Sequence, residues 1–362
     1  MITFESVTKH YPDGTVALDG LDLEVDEGET VVFVGPSGCG KTTTMRLVNR
    51  MVTPSSGRVL LDGIDVAERE PAALRRSIGY VIQHTGLFPH YTVRRNVATV
   101  PELEGWSRAQ RNERVDELLE VVGLPREVAE RYPHQLSGGQ RQRVGVARAL
   151  AADPAVMLMD EPFGAVDPLV RSRLQEEFLR LQTEVRKTIV FVTHDVDEAL
   201  KMGDRIAILA DGGRLQQYAT PRELLSDPAN EFVMDFLGEE RGLKRLGLIP
   251  VSEVSAEHGP VVYPDDERAV AERSAEAAGL DWVIALSESD VLLGWISTHE
   301  LVEGPMRDQQ IRSFGLHVQA NDSLRTALNA MVTNQSAVAV RVSEGDVYEG
   351  LLSQQLIAKE LE

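Results

Sequence analysis

Cysteine is almost missing from the sequence, and its scarcity limits how the fold can be stabilised. Among 362 residues only Cys39 is a cysteine. Because a disulfide needs two thiols, no disulfide framework can form within the chain. The composition therefore suits a reducing compartment such as the cytosol.

Basic residues are also scarce relative to acidic ones. The chain carries 37 Lys and Arg against 57 Asp and Glu, a net charge of −20. Nucleic-acid binders need a basic face that displaces counterions from phosphates, so we expect no nucleic-acid partner. The same surplus of negative charge disfavours direct adsorption to anionic lipid.

Long apolar runs are absent as well. No run approaches the roughly 18 residues that a membrane-spanning helix needs. The first residues, MITFESVTKHYPDG, place charges where a signal peptide has an apolar core. We expect a chain that is soluble, or attached to a membrane only through another protein.

Short apolar segments alternate with helical segments as far as residue 237. The segments TVVFVG, IGYVIQ, AVMLMDEP, TIVFVTH and RIAILADG have the composition of buried strands. This pattern predicts an α/β domain over residues 1–237 with a largely parallel sheet. The charged, glycine-containing stretch that follows predicts a linker over residues 238–250.

The rest of the chain contains an internal repeat. Asp265–Ser297 aligns without gaps with Asn321–Ser353 at a constant offset of 56, and Gly294 falls on Gly350. Each copy has the pattern helix, strand, tight turn, strand.

The repeat divides the C-terminal part into a first copy over residues 251–304 and a second over residues 305–362. From Arg241 onward there are 10 basic and 19 acidic residues, a net charge of −9. The tail is therefore acidic too, and we expect anionic headgroups to repel it.

A phosphate-binding loop follows the first buried strand. GPSGCGKTT fits the pattern G-x-x-x-x-G-K-[ST], in which backbone N–H groups and a helix N-terminus surround phosphate oxygens. Lys41 is expected to reach the β- and γ-phosphates, and the Thr42 hydroxyl to hold Mg²⁺. The alternative for the loop is an ordinary glycine-rich turn. Cys39 is either inert filler within the loop or a reactive thiol, in which case a thiol reagent should block ATPase activity. The predicted nucleotide contacts are Gly35, Pro36, Ser37, Gly38, Cys39, Gly40, Lys41, Thr42 and Thr43.

Two carboxylates end the apolar strand VMLMDE. Ligands of open α/β sheets bind at the carboxyl ends of the strands, so both acids are expected at the site. Asp160 would hold Mg²⁺ through its water shell, and Glu161 would act as general base on the attacking water. Alone, the stretch is equally compatible with two solvated acids.

Three further residues are candidates by position. His194 follows the strand TIVFV and is either a sensor of the γ-phosphate or a loop residue that caps a helix. Gln83 follows IGYVI, where it would bind the metal or the water. Tyr11 precedes the loop and is placed to stack on adenine.

A second glycine motif opens the stretch LSGGQRQRVGVARAL. It is another Ser-Gly-Gly turn before a helix, and hence an anion site, but no second phosphate loop accompanies it.

These motifs, in this order and spacing, resemble the nucleotide-binding subunit of an ABC transporter. The resemblance covers about the first 237 residues and implies a P-loop NTPase fold with ATP and Mg²⁺ as cofactors. It also implies two such domains stacked head to tail, as a homodimer or with a sister subunit. Each LSGGQ then meets the γ-phosphate on the partner. The positions carried over for this role are Ser137, Gly138, Gly139 and Gln140, with Asp167 in the segment that crosses between the two sites.

The stretch HTGLFPHYTVRRNVATVPELEGW resembles importer ATPases, especially those for glycine betaine, carnitine and choline uptake. The resemblance implies separate transmembrane permease subunits, an extracellular or periplasmic substrate-binding protein, and a place on the cytoplasmic face of the membrane. Importers of other small solutes share much of this sequence, so it does not identify the transported solute.

The tail repeat resembles a tandem pair of CBS domains, which commonly bind adenosine nucleotides or sense ionic conditions. The ribose-contacting pattern ends in Glu300 in the first copy and in Leu356 in the second. The second copy thus lacks the carboxylate that accepts ribose hydroxyls. A cyclic dinucleotide between paired tails, or a purely structural dimerisation module, are the alternatives.

Two other classes of function compete with transport. A soluble ABC ATPase that acts in DNA repair or on ribosomes usually has two ABC domains or basic surfaces, and neither is evident. A regulatory module with a slow ATPase would not need complete catalytic motifs, so the complete motifs of this chain argue against that class.

Overall fold

The computed structural model describes residues 1–82, 86–164 and 167–361, with no description of the side chains of residues 168–170. The chain forms two compact units, Met1–Leu237 and Gly238–Glu362.

The first unit is an α/β domain. Its strands in the described residues are β1 (Ile2–His10), β2 (Val16–Val25), β3 (Thr30–Val34), β4 (Ser56–Leu61), β5 (Ile64–Asp65), β6 (Ile78–Val81), β7 (Val156–Asp160), β8 (Thr188–Val192), β9 (Arg205–Ala210) and β10 (Arg214–Ala219). Its helices are α1 (Lys41–Val48), α2 (Pro71–Arg76), α3 (Val93–Val97), α4 (Thr99–Leu103), α5 (Arg108–Val121), α6 (Gly138–Leu150), α7 (Pro168–Val185), α8 (Val196–Met202), α9 (Pro221–Ser226) and α10 (Glu231–Leu237).

A six-stranded sheet forms the centre of this unit, in the order β10-β9-β3-β8-β7-β6. The strands from β9 to β6 are parallel, and only β10 pairs antiparallel. Every residue of β3, β7 and β8 is buried. Because strands of a parallel sheet are covered on both faces, they read as continuous apolar runs rather than alternating ones. The predicted α/β domain with a largely parallel sheet is confirmed.

A second, antiparallel sheet packs beside the first, in the order β2-β1-β4-β5. Its core residue Phe4 meets Phe33 of β3 edge-on, with ring centroids 6.3 Å apart. Both side chains are buried in one continuous apolar cluster. This packing fixes β1, and with it the residue that follows the strand, Tyr11, against the central sheet.

The second unit contains the following elements among its described residues: α11 (Arg241–Leu248), β11 (Val261–Val262), α12 (Arg268–Ala278), β12 (Trp282–Leu286), β13 (Leu292–Ser297), α13 (Leu324–Thr333), β14 (Val338–Val342), β15 (Tyr348–Ser353) and α14 (Gln354–Lys359). Strands β11, β12 and β13 form one sheet, and β14 pairs with β15.

The stretch 238–250 differs from the linker that the sequence predicted. It contains α11, and Leu246 and Ile249 are buried in one cluster with Met331 of α13. Leu246 reaches this core from α11 and Ile249 from the residue directly after the helix, which the charged composition of the stretch did not reveal.

The repeat is present in the structure at the offset of 56 residues. The bounds of β14 and β15 equal those of β12 and β13 shifted by 56. Val262 pairs in parallel with Ala285, and Val318 pairs in parallel with Arg341, which are the same two positions one repeat later.

The two copies exchange backbone segments. The chain at Arg312 pairs with β13 of the first copy, and the chain at Glu257 pairs with β15 of the second. A Cβ on Gly294 would lie 2.2 Å from the Arg312 oxygen, and one on Gly350 would lie 2.9 Å from the Glu257 oxygen. The two aligned glycines thus make room for the exchanged segments.

Candidate nucleotide-binding site

One cleft at the carboxyl ends of β3, β7 and β8 collects nine of the predicted residues. Parallel strands end at the same sheet edge, so residues that are distant in sequence meet there. The cleft has a volume of about 650 Å³. It is lined by Pro36, Ser37, Gly38, Gly40, Lys41, Thr42, Thr43, Glu161 and His194.

Two glycines let the phosphate loop turn tightly between β3 and α1. Gly35 has φ of 153° and Gly40 has φ of 107°. A Cβ would lie 2.2 Å from the Leu209 oxygen at Gly35 and 2.1 Å from the Ala17 oxygen at Gly40. The loop therefore needs glycine at both positions, for its conformation and for the close approach of neighbouring backbone.

Lys41 points its ammonium group into the loop. Its Nζ donates to the carbonyl oxygens of Gly35, at 2.7 Å, and Pro36, at 2.8 Å, and lies 3.7 Å from the Cys39 sulfur. The side chain is buried. The loop's own carbonyl oxygens thus accept hydrogen bonds from the Lys41 ammonium. Phosphate oxygens would compete for the same three N–H donors of that group.

Cys39 lies behind the loop rather than on the surface of the cleft. Its side chain is fully buried in the apolar cluster of the first unit. Burial raises the pKa of the thiol, although the Lys41 ammonium opposes the shift. This burial favours the alternative in which Cys39 is inert filler, because the small side chain packs toward the core.

Thr42 and Asp160 lie together at the edge of the cleft. The Thr42 hydroxyl donates to Oδ1 of Asp160 over 3.2 Å. Desolvation raises the pKa of Asp160, and the Thr42 hydrogen bond acts in the opposite direction. The described residues hold no cluster of three His, Cys, Asp or Glu side chains that would bind a metal by themselves. A hydroxyl and one carboxylate are the oxygen donors that Mg²⁺ uses when phosphates and water complete its shell, so these residues fit that ion.

Glu161 and His194 form a pair across the ends of β7 and β8. His194 Nδ1 lies 3.1 Å from Oε1 of Glu161. Glu161 has φ of 44°, and its N–H donates to the Val192 oxygen over 2.9 Å. A glutamate in the left-handed region carries strain that surrounding structure must hold. Here that conformation directs the carboxylate into the cleft.

A buried polar network behind His194 was not predicted from the sequence. Thr193, Gln175 and Glu198 are all buried. The Gln175 amide donates to Oε1 of Glu198 over 3.1 Å, and the Thr193 hydroxyl also bonds to that carboxylate. Desolvation raises the pKa of Glu198. The network joins α7, which follows Asp167, to α8, which follows His194.

The sequence offered only a weak signal for this network. Glu198 lies in the first turn of α8, where Asp195 caps the helix by accepting N–H groups at 2.9 and 3.2 Å. Acidic residues in a first turn are common because they complement the helix dipole. Nothing in that pattern distinguishes a solvated Glu from a buried one.

Tyr11 reaches the loop from the antiparallel sheet. Its hydroxyl lies 3.4 Å from Oγ1 of Thr43, and the Lys9 ammonium lies 5.2 Å from the centre of its ring. The ring is thus beside the phosphate loop, although Tyr11 is not among the described residues that line the cleft.

The Ser-Gly-Gly motif forms the start of α6, away from this cleft. Ser137 Oγ accepts the Gln140 N–H at 3.2 Å, and Gln140 Oε1 accepts the Ser137 N–H at 3.0 Å, which is a capping box. Ser137 and Gly138 are exposed, whereas Gly139 is buried. None of the four motif residues is among the described residues that line the chain's own cleft.

Asp167 is not among the described residues that line the cleft. It is exposed, and its backbone oxygen accepts the Arg171 N–H. Gln83 lies outside the described residues, so its role as metal or water ligand stays a prediction.

Comparison with known proteins decides the family. Residues 18–164 match the ABC transporter family. The chain is 48% identical over 297 residues to the glycine betaine/carnitine/choline transport ATP-binding protein OpuCA of Bacillus subtilis (strain 168), with 82% of this chain and 78% of that protein covered. It is 41% identical over 366 residues to the osmoprotectant import ATP-binding protein OsmV of Salmonella typhimurium, with 99% and 95% covered. This chain belongs to the ATP-binding subunits of ABC transporters.

Solved structures agree with this family. The dimeric structure of the bacterial ABC transporter cassette MJ0796 is 35% identical with a TM-score of 0.56, and the match covers 61% of this chain and 99% of the cassette. A post-hydrolysis structure of the same cassette, also dimeric, is bound to ADP and Pi. The ABC subunit described here is accordingly an ATP-binding ATPase coupled to transport. None of its described helices has the length and apolarity needed to cross a bilayer.

Proposed function

We propose that this ABC subunit hydrolyses ATP to drive the import of a quaternary-amine osmoprotectant such as glycine betaine, choline or carnitine. The observation that carries the proposal is the similarity over nearly the whole chain to OsmV, an osmoprotectant import protein, together with that to OpuCA. The match to OsmV includes the tail, which the ATPase fold alone does not require.

ATP would bind by replacing the loop's internal contacts. Phosphate oxygens displace the carbonyls of Gly35 and Pro36 from the Lys41 ammonium and meet the backbone N–H groups at the start of α1. Tyr11, held near Thr43, stacks on the adenine.

Thr42 and Asp160 would hold Mg²⁺, directly and through water respectively, with Gln83 as a further ligand. When bound, the ion neutralises charge on the β- and γ-phosphates. The existing hydrogen bond already holds both oxygens at one edge of the cleft.

Glu161 would accept a proton from the attacking water. Its strained backbone and its contact with His194 fix the carboxylate at the cleft. General-base catalysis typically contributes 10²–10⁴-fold in rate. His194, at the surface of the cleft, would contact the γ-phosphate and keep the base oriented.

A second copy of the chain would complete the site. The motif Ser137, Gly138, Gly139 and Gln140 forms the N-terminus of α6, where Ser137 and Gly138 are exposed, and it does not line the chain's own cleft. In a head-to-tail homodimer it would meet the partner's γ-phosphate, and Asp167 would cross between the two sites. The dimer would dock under permease subunits at the cytoplasmic face of the membrane, while a binding protein delivers the solute outside.

The tail would act as a regulatory pair of CBS domains, as the repeat and its exchanged segments suggest. Its ribose position in the first copy, Glu300, accepts both a 2.7 Å and a 2.8 Å hydrogen bond from the Arg312 guanidinium. The second copy has Leu356 there. Mononucleotide binding would thus need Glu300 to leave Arg312, whereas a cyclic dinucleotide between paired tails would use other surfaces.

Uptake in living cells tests the transport proposal. Labelled glycine betaine, choline and carnitine are supplied to cells that lack this gene and carry wild type, Glu161→Gln or Glu117→Gln, at low and high osmolarity. Glu117 lies on α5, with its side chain 56% exposed, and serves as a matched carboxylate control. We expect uptake with wild type and Glu117→Gln but not with Glu161→Gln, with a rise at high osmolarity.

If no strain takes up more of these solutes than cells without the gene, the quaternary-amine solute is rejected and the proposal moves to an importer of another small solute. Uptake restored by Glu161→Gln would instead reject the role of Glu161 as the base.

A further inference from the structure

Three aromatic side chains line one cleft in the second unit. Trp282, Trp295 and Phe314 border a volume of about 590 Å³. The chain has only three tryptophans, and two of them are here. All three rings are half-buried, so each keeps part of its surface in contact with solvent.

The strand pairing of the first repeat copy brings these rings together. Trp282 of β12 lies opposite Ser297 of β13, and Trp295 is the diagonal neighbour on the same face. The segment that pairs with β13 at Arg312 continues to Phe314. The rings of Trp282 and Phe314 meet edge to face, with centroids 6.2 Å apart and an interplanar angle of 75°.

The charges around the cleft favour a cation. Among the described residues that line it, the only charged one is Asp281. Helix α13 ends at Thr333, which also lines the cleft, so the negative end of the helix dipole faces the space. The nearby Arg312 guanidinium is 5.1 Å from the Trp295 ring, and its charge is paired with Glu300.

The fold of the repeat does not require aromatic residues at the positions of Trp282, Trp295 and Phe314. At the positions 56 residues away, Trp282 corresponds to Val338 and Trp295 to Leu351. Phe314 corresponds to His258 in the other direction. The second copy forms the same hairpin with these side chains, so folding alone does not explain the rings.

We propose that this cleft binds a small quaternary ammonium compound. Such cations bind to the faces of aromatic rings, because the weakly hydrated charge meets the negative ring surface. The hydroxyls of Ser297 and Ser313, which line the cleft, are placed to contact a carboxylate or hydroxyl on the same ligand. A nucleotide phosphate, by contrast, would find no basic side chain among the described lining residues.

The inference rests on the proposed function for its biological meaning. If the transported solute is a quaternary amine, the same class of molecule accumulates on the side of the membrane where the tail lies. Occupancy of the cleft then reports the internal concentration of the solute to the subunit that drives its import.

Calorimetric titration of the purified full-length chain tests the binding. The ligands are choline, glycine betaine and tetramethylammonium, with two comparisons that separate charge from shape. 3,3-Dimethylbutan-1-ol has the shape of choline without its charge, and ethanolamine has a charge that is strongly hydrated. We expect saturable binding of the quaternary compounds, with choline bound at least about tenfold more tightly than either comparison compound.

Substitutions taken from the other repeat copy locate the site. Trp295→Leu and Trp282→Val should each weaken choline binding at least about tenfold, because each removes one ring face. Trp295→Phe keeps a ring and should bind within a few-fold of wild type, which also controls for misfolding. Trp106→Phe, in the first unit, is the matched tryptophan control and should leave the affinity unchanged.

Several outcomes would overturn the inference. Equal binding of 3,3-dimethylbutan-1-ol would show an apolar cleft without preference for a cation. Unchanged binding in Trp295→Leu would place the ligand elsewhere, and competition by AMP would identify a nucleotide site instead. Transport without binding to the purified chain would reject the inference and leave the proposed function standing. Binding without transport would leave the inference standing and reject the proposed function.

Discussion

At the scale of single residues, burial decides how much stability is lost when a charged group loses a hydrogen-bond partner. Glu198 is only 6% exposed, and its carboxylate accepts hydrogen bonds from Gln175 and Thr193. A buried carboxylate that loses one donor keeps its desolvation cost without the bond that offset it. The network behind His194 is therefore a point where a small change has a large effect.

Gln175→Leu should lower the free energy of unfolding of the first unit by about 1–3 kcal/mol, because Glu198 loses a donor in a buried position. Urea unfolding measures the change. Gln355→Leu, at an exposed position of α14, is the control and should stay within about 0.5 kcal/mol of wild type. A loss equally small for Gln175→Leu would show that the bond to Glu198 contributes little.

The raised pKa of Glu198 gives a stability change with pH of definite sign. The folded chain holds this proton more tightly than the unfolded chain, whose value is near 4.5. The stability that protonated Glu198 contributes to the folded chain is complete below the unfolded pKa. It is lost as the pH rises through the folded pKa. Glu198→Gln should remove this loss, so its stability relative to wild type should increase as the pH rises above about 4.5. Melting temperatures of both proteins between pH 4 and pH 8 check the slope, and parallel curves would contradict it.

Cys39 should be protected from thiol reagents in the folded chain. Its sulfur is fully buried, and burial raises the thiol pKa, which lowers the fraction of reactive thiolate. Labelling with an aromatic disulfide should be at least about a hundredfold slower in buffer than in urea, where the thiol is exposed. Similar rates under both conditions would mean that the phosphate loop opens readily.

At the scale of elements, the exchanged segments of the tail depend on two glycines at equivalent positions. Gly294 and Gly350 have φ of 146° and 138°, and each faces the backbone of a segment from the other copy. The exchange is also held by reciprocal bonds between the two hairpins, from the Leu292 N–H to the Asp346 oxygen and from the Tyr348 N–H to the Asp290 oxygen, both 2.8 Å. The hairpins therefore support one another.

Gly294→Ala should destabilise the tail by about 3 kcal/mol, since it adds a steric clash to an unfavourable backbone conformation. Gly345→Ala is the matched control: its φ is 79°, and a Cβ there would meet nothing within 4 Å. The control should cost only about 1 kcal/mol. Chemical unfolding measured through the tail tryptophans compares them, and equal costs would show that the exchanged segment moves aside easily.

At the scale of the whole molecule, each unit has its own apolar core. The cluster around Phe4 and Phe33 belongs to the first unit, whereas Leu246 and Ile249 belong to a cluster of the second. Units with separate cores are expected to fold independently. The position of α11 in the second unit then decides where the chain can be cut.

A chain ending at Leu237 should fold and keep ATPase activity, with any regulation by the tail lost. A chain ending at Leu248 should be less soluble, because α11 keeps Leu246 without the core that buries it. Gel filtration and ATPase assays compare the two with the full chain. If the shorter chain fails to fold, the boundary between the units lies elsewhere.

Several site residues were predictable because the backbone geometry of the motifs is local. The phosphate loop needs glycine at Gly35 and Gly40 for its own turn, so its place after a buried strand could be read directly from the sequence. The meeting of Thr42 with Asp160, and of Glu161 with His194, followed from the rule that parallel strands end at one edge.

The sequence by itself determined the strands, the loop and the repeat, because these depend on residues that are close together or on a constant offset of 56. Only the tertiary structure decided which side chains turn inward. It buried Cys39 and Glu198, recruited Leu246 of the expected linker into a core, and gathered Trp282, Trp295 and Phe314 around one cleft. Burial depends on what packs from distant parts of the chain, and no local pattern of residues carries that information.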